Sequence, residues 1–297
     1  MTSTAVPLRI WVMAARPRTL PAAIAPVLVG TALAGSEDVF RPLAFAAALI
    51  GSVFIQIGTN LSNDYSDARR GADTEERLGP VRVTAGGLVP PRKVLVATWL
   101  AFGIAVAAGA YLTVLVGWEL LVIGAASILA GVLYTGGPRP YGYEGLGEVF
   151  VFLFFGVVAV AGSYYVQTED LERLAFSLAV PVGLLSAAIL MVNNIRDLDT
   201  DRRAGKRTLA VRLGRPRAVA VFGGALWVAF GGIVGVAIAE GEPWLVLPWL
   251  AAPLVPALQR TVATRTDGPS LNAALARCGM LLALFSLLLS AGLLLSK

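Results

Sequence analysis

Long uncharged stretches dominate this sequence and leave it few ways to fold. Apolar runs close to the ~20 residues that span a bilayer as a helix recur from one end to the other. They lie at residues 20–36, 42–64, 93–116, 119–135, 147–166, 174–196, 216–239, 243–260 and 272–295, with turn signals between them. Only 14% of the 297 residues are charged, against roughly 25% in an ordinary soluble domain. A water-soluble globule of this length lacks the residues to cover its surface. The reading is therefore an all-α polytopic membrane protein, with nine transmembrane helices around a central cavity. The 32 Gly and 17 Pro suit helices packed in lipid, where neighbours satisfy interrupted backbone. The loops are too short for a separate soluble domain, so residues 1–297 are expected to form one membrane domain, with 1–14 as a cytoplasmic segment. That segment, beginning MTSTAVPLRI, has no apolar core with a cleavage site, and a cleaved leader is not expected.

Two counts limit the chemistry. Histidine is absent, which removes imidazole bases, imidazole metal ligands and Ser-His or Cys-His nucleophiles. Cys278 is the single cysteine, so no intrachain disulfide or thiolate metal site exists, and the residue is expected to pack as a small apolar side chain. Any metal would be held by oxygen, which selects magnesium, calcium or manganese.

The basic residues predict the orientation. With nine spans, all but three of the 24 Lys and Arg fall on the side of the N-terminus, the exceptions being Arg41, Arg173 and Lys297. By the positive-inside rule the N-terminus and the basic loops are cytoplasmic and the C-terminus is outside. The net charge of +5 thus sits beside apolar spans, which points to anionic lipid or a phosphorylated substrate rather than nucleic acid.

The acidic residues divide in the same way. Eight lie in the outside loops and read as solvated charges. Most of the others form two clusters at cytoplasmic helix ends. The first holds Asn60, Asn63, Asp64 and Asp67, spaced three, four or seven apart so that they share a helix face. The second holds Asn193, Asn194, Asp197 and Asp201 in a similar stripe, with Asp199 pointing elsewhere. Two such stripes facing one another suit two hard cations bridging a diphosphate, with Arg69, Arg70, Arg77, Arg139, Lys206 and Arg207 near enough to hold phosphate oxygens. The plainer alternative is a pair of polar helix ends meeting water. Against it, carboxylates are disfavoured at a helix C-terminus, and two matched clusters lie on one membrane side.

With these motifs the chain resembles the UbiA superfamily of intramembrane aromatic prenyltransferases. The blocks 15–23, 60–80, 134–147 and 193–214 carry the likeness, and within the superfamily they are most similar to the branch that prenylates 1,4-dihydroxy-2-naphthoate in menaquinone biosynthesis. The last three helices share only hydropathy with it. One departure is visible: the broad family motif is N-D-x-x-D-x-x-x-D, and here the final acid is Asp73, two positions late, with Gly71 in its place.

The resemblance implies transfer of a polyprenyl group from its diphosphate to the naphthoate ring, with loss of carbon dioxide and diphosphate, giving a demethylmenaquinol. It implies Mg2+ held by Asp64, Asp67, Asp197 and Asp201, with Asn60, Asn63 and Asp73 as further ligands and Asn194 in support. Arg139 and Lys206 would bind phosphate, with Arg69 and Arg207 alongside them. Tyr134, Tyr141, Tyr65 and Phe152 lie at a depth to shield an allylic cation, or serve as interfacial belt residues. Arg16 and Arg18 would bind the acceptor carboxylate or anchor the first span to lipid headgroups. Glu148 would stabilise a helix N-terminus or pair with Arg139. Two other readings stay open: another aromatic acceptor such as 4-hydroxybenzoate, and an ion-coupled transporter. Against the transporter, the clustered acids lie at one membrane face and none is at mid-span.

Overall fold

A computed structural model describes residues 6–72 and 78–296, and within them every regular element is a helix. The N-terminal segment is itself helical: α1 (Leu8–Ala15) and a 3₁₀ turn (Pro17–Thr19) lead into α2 (Pro21–Ser36) through a 54° bend. The long helices that follow are α3 (Pro42–Arg69), α4 (Pro91–Val116), α5 (Glu119–Leu133), α6 (Gly147–Thr168) and α7 (Arg173–Arg196). Two short helices, α8 (Leu198–Arg203) and α9 (Leu209–Leu213), connect α7 to α10 (Arg215–Glu240). A 3₁₀ segment (Pro243–Ala251), α11 (Leu254–Thr264) and α12 (Gly268–Leu295) complete the chain.

Among the described residues six helices (α3, α4, α6, α7, α10 and α12) are long and apolar enough to cross a membrane. The bent pairs Leu8–Thr19 with Pro21–Ser36, and Pro243–Ala251 with Leu254–Thr264, raise the number to eight if each is one span. Helix α5 is apolar but only 15 residues long, about 22 Å at 1.5 Å per residue.

Proline and glycine set the boundaries. Pro21, Pro42 and Pro91 each begin a helix, where a missing N–H costs nothing. The run expected to end at 64 continues to Arg69, because nothing interrupts it before Gly71, whose φ of 66° closes the helix. The expected span 243–260 is instead broken, with a 44° bend near Pro253. Helix α6 carries a π-helical stretch, Phe152–Val158, where Gly156 lies against α7.

Helix α7 is the most enclosed of the long helices. It packs with α2, α6, α10 and α12 around one large apolar core that includes Phe222, Phe230 and Phe285 and to which α11 adds Val255 and Leu258. Small residues permit the close approaches: a Cβ on Gly30 of α2 would lie 2.2 Å from the Val160 carbonyl of α6. In lipid, where tails are as apolar as leucine, such contacts supply much of the association energy. Helices α3, α4 and α5 form a thinner second wall, and a cavity of ≈420 Å³ lies between the two walls.

Candidate functional site

The cavity is polar at one end because α3 stays helical through its acidic turn. At about 100° per residue, Asn63, Asp67 and Asn60 lie within a narrow arc and Asp64 falls at its edge. The structure follows that order. Asn60, Asn63 and Asp67 line the cavity, while Asp64, which does not, turns to the segment after Pro80. There its Oδ2 accepts from the Val83 N–H at 3.0 Å and its Oδ1 from the Thr84 N–H at 2.8 Å. Asp64 thus fastens a strap rather than facing the space where Asp67 lies.

Asp67, 1% exposed, is the meeting point of three distant segments. Its Oδ1 accepts from the Tyr143 hydroxyl at 2.8 Å, and its Oδ2 accepts from Lys206 Nζ at 3.0 Å with Arg82 at 3.5 Å. Lys206 also stands 4.9 Å from the Tyr143 ring centre. Beside it, Asn63 Oδ1 accepts from Thr135 Oγ1 at 2.9 Å.

The second acidic cluster meets the first across the cavity. Helix α7 breaks at Asp197 (φ −91°, ψ 7°), and α8 begins one residue later. The break lets adjacent residues pair: Arg196 Nε and Nη2 donate to the two Asp197 oxygens at 2.8 and 2.6 Å. The same buried guanidinium donates to Asn193 Oδ1 and Asn272 Oδ1, both at 2.7 Å. Asn193, Asn194, Asp197 and Asp201 all line the cavity, as does Lys206.

One helical turn and more beyond this cluster is a separate polar patch on the α1–α2 side. Arg16 takes a left-handed conformation (φ 55°) at the bend and lines the cavity, with Nη2 3.4 Å from the Asn60 carbonyl. Asn60 Nδ2 donates to the Ala15 carbonyl at 2.9 Å, and Gln56 Nε2 donates to Thr19 Oγ1 at 3.1 Å. Tyr134 and Tyr141 form the facing aromatic wall, edge to face at 5.5 Å, with Phe150 stacked on Tyr141 at 3.9 Å. Burial pushes the Tyr141 phenol well above its ordinary range. Beyond the aromatics the lining turns apolar and small, with Ala105 and Gly109 of α4 and Gly124 of α5.

Other expected residues stand elsewhere. Arg69 is exposed and donates to the Tyr65 hydroxyl at 3.1 Å. Arg139 and Arg207 are exposed, and these three arginines, like Tyr65 and Phe152, do not line the cavity. Glu148 meets Asn194, not Arg139. Asp73, together with Arg77, lies outside the described residues. Conversely, Arg82, Thr135, Tyr143, Gln56 and Arg196 were not singled out from the sequence. Tyr143 lies within the 134–147 block, yet no spacing signals that its hydroxyl reaches a carboxylate 76 residues earlier.

Among the described residues no three metal-binding side chains of the Asp, Glu, Cys or His types close on one point. The donor set still fits a hard cation: carboxylate and amide oxygens from two helix ends share one cavity. Here their charge is met by the side-chain cations Lys206, Arg82 and Arg196.

A helical bundle with a cavity that is charged at one end and apolar at the other defines a multi-pass membrane protein with an amphipathic internal site. The chain belongs to the UbiA prenyltransferase family, whose model matches residues 23–288. The 1,4-dihydroxy-2-naphthoate octaprenyltransferase of Mycobacterium tuberculosis is 44% identical over 244 residues, 82% of each chain. The protein of that name from Escherichia coli is 38% identical over 97% of this chain and 96% of its own. Among solved structures, a UbiA homolog from Archaeoglobus fulgidus bound to GPP and Mg2+ has the same fold, with a TM-score of 0.67, 15% identity, and coverage of 96% of this chain and 99% of that one.

Proposed function

We propose that this protein transfers a polyprenyl group from its diphosphate to 1,4-dihydroxy-2-naphthoate. The allylic C–O bond breaks, a ring-carbon–prenyl bond forms, and the ring carboxyl leaves as carbon dioxide, giving demethylmenaquinol and diphosphate. The observation that carries this reading is the convergence of Asp67, Asp197, Asp201 and Lys206 at one end of a cavity whose other end is apolar. It is supported by the names of relatives that match most of the chain.

A divalent cation such as Mg2+, when bound, would neutralise the charge that develops on the departing diphosphate. Asp67, Asp197 and Asp201 would hold it, with Asn63 and Asn60 as neutral oxygen donors. Lys206 and Arg82, already beside Asp67, present positive charge to the phosphate oxygens. Asp64 contributes by keeping the strap that carries Arg82 in place. The Arg16, Thr19 and Gln56 patch lies deeper than the acids, where a guanidinium and amide suit an acceptor's carboxylate and ring hydroxyl. Tyr134, Tyr141 and Phe150 turn aromatic surface toward the cavity and keep water from the reacting carbons. The prenyl tail runs into the small-residue arm between α4 and α5.

The chain forms one domain of nine spans, the short α5 and the two bent pairs included, in the cell membrane. Its N-terminus and acidic clusters face the cytoplasm and its C-terminus faces outward, as the positive-inside rule directs. Purified protein supplied with Mg2+, a polyprenyl diphosphate and a panel of aromatic acids provides the test, read by mass spectrometry. Prenylated naphthoquinol is the expected product. Preference for 4-hydroxybenzoate would overturn the acceptor assignment, and full turnover in excess EDTA would overturn the metal.

A further inference from the structure

Glu148 is a buried acid that the transfer reaction does not call for. It sits in the first turn of α6, is 7% exposed, and lies outside the cavity lining. Its Oε1 accepts from Asn194 Nδ2 at 2.9 Å, while its Oε2 is buried without a hydrogen-bond partner in the structure. A dipole interaction at the helix start alone would not require a carboxyl group this enclosed, since such interactions need no burial.

Asn194, which this acid grips, lines the cavity and stands one turn before Asp197 on α7. A side-chain amide has a donor end and an acceptor end of nearly equal shape, and either can face a cavity. Glu148 removes that freedom, because an oxygen acceptor on the outer side binds the NH2 end. The Asn194 oxygen is then the end presented beside Asp197. We infer that Glu148 is a positioning residue that holds Asn194 with its carbonyl oxygen toward the diphosphate end of the cavity, where it serves an electron-poor partner, a hard cation bound with the donor diphosphate. The pairing is the oxygen counterpart of the outer carboxylates that orient ligand side chains at metal sites.

This inference rests on the proposed function only in requiring that the cavity take an allylic diphosphate, and its test omits the acceptor. Binding of geranyl thiolodiphosphate, an analogue that resists ionisation, is measured calorimetrically on purified full-length protein with and without Mg2+. Glu148→Ala is expected to weaken binding in Mg2+ by about tenfold or more, the usual effect of losing an outer-shell partner, and to change it little without the metal. Asn194→Asp sets two carboxylates against each other, and Glu148→Gln lets either amide end face the cavity. Both single variants are expected to bind weakly. Combined, they restore the hydrogen bond with the donor reversed and keep a carboxylate oxygen at position 194 facing inward, so the double variant is expected to return toward wild-type affinity. A merely structural role would not produce that rescue.

Wild-type affinity in Glu148→Ala, or a double variant no tighter than Asn194→Asp, overturns the inference. If Glu148→Ala fails to purify as a monodisperse protein, the double variant decides by itself. A wild-type protein that does not bind the analogue at all overturns the reading of the cavity, and this inference with it. A wild type that binds the analogue but prenylates another acceptor overturns only the acceptor assignment.

Discussion

Asp64 and Asp67 are three positions apart and do different work. Asp67 is enclosed by a phenol, an ammonium and a guanidinium, so removing its charge takes the carboxylate partner away from the buried Lys206 ammonium. Asp67→Ala is expected to lower kcat by about 100-fold or more and stability by on the order of 3 kcal/mol, read by turnover and by chemical denaturation. Tyr143→Phe deletes one hydrogen bond to that carboxylate, a loss of about 1.5 kcal/mol that leaves the fold intact. Asp64→Ala should act through the strap. Amide exchange at Val83 and Thr84 is expected to accelerate in this variant, because the carboxylate that accepts from both N–H groups is gone. Unchanged protection there would return Asp64 to the ligand role that the motif implies. Helical spacing puts these acids on one face, but a face of about 100° is wide enough to hold two neighbourhoods.

At the scale of elements, the bundle is set by where helices touch and where they part. Gly30 fits α2 against α6, and a methyl there would meet the Val160 carbonyl at 2.2 Å. Gly30→Ala should therefore cost about 1–3 kcal/mol through overpacking, whereas Gly103→Ala, with nothing within 4 Å of the added carbon, should be tolerated. Thermal unfolding in detergent compares the two. Gly109 and Gly124 also have open space beside them, but theirs is the cavity. Leucine at either position is expected to fill the apolar arm and shorten the longest prenyl donor accepted, without lowering turnover of a short one. Equal use of long and short donors would place the tail elsewhere. Apolar runs with turn signals marked the long helices, although the run 243–260 is broken and the N-terminal helix α1 was not expected. Neither the runs nor the turn signals showed the π-helical stretch in α6 or which glycines are crowded, because both depend on the neighbouring helix.

For the molecule as a whole, the sorting of charge between the two ends of the bundle is the property from which its proposed orientation follows. A cysteine introduced at Arg207 should be shielded from an impermeant thiol reagent in intact cells, and one introduced at Glu172 should react. Buried Cys278 provides little background. Labelling of both positions from outside would reverse the proposed topology. The all-helical class and the apolar spans were legible in the residues, since within a bilayer a helix satisfies its own backbone polar groups, and the two acidic stripes expected to face one another line one cavity. Hydropathy and helical periodicity are local, and a single chain contains all that is needed to read them. The partners of those acids were not legible. Lys206 stands 139 residues from Asp67 and Tyr143 76 residues from it, and Asp197 is neutralised by its own neighbour only because α7 breaks there. The sequence alone determined that the chain is apolar enough for lipid and that its fold is helical. Only the tertiary structure decided which acid faces the cavity, which one ties down the strap, and which buried glutamate grips an amide, because those assignments depend on contacts between distant segments that no local periodicity encodes.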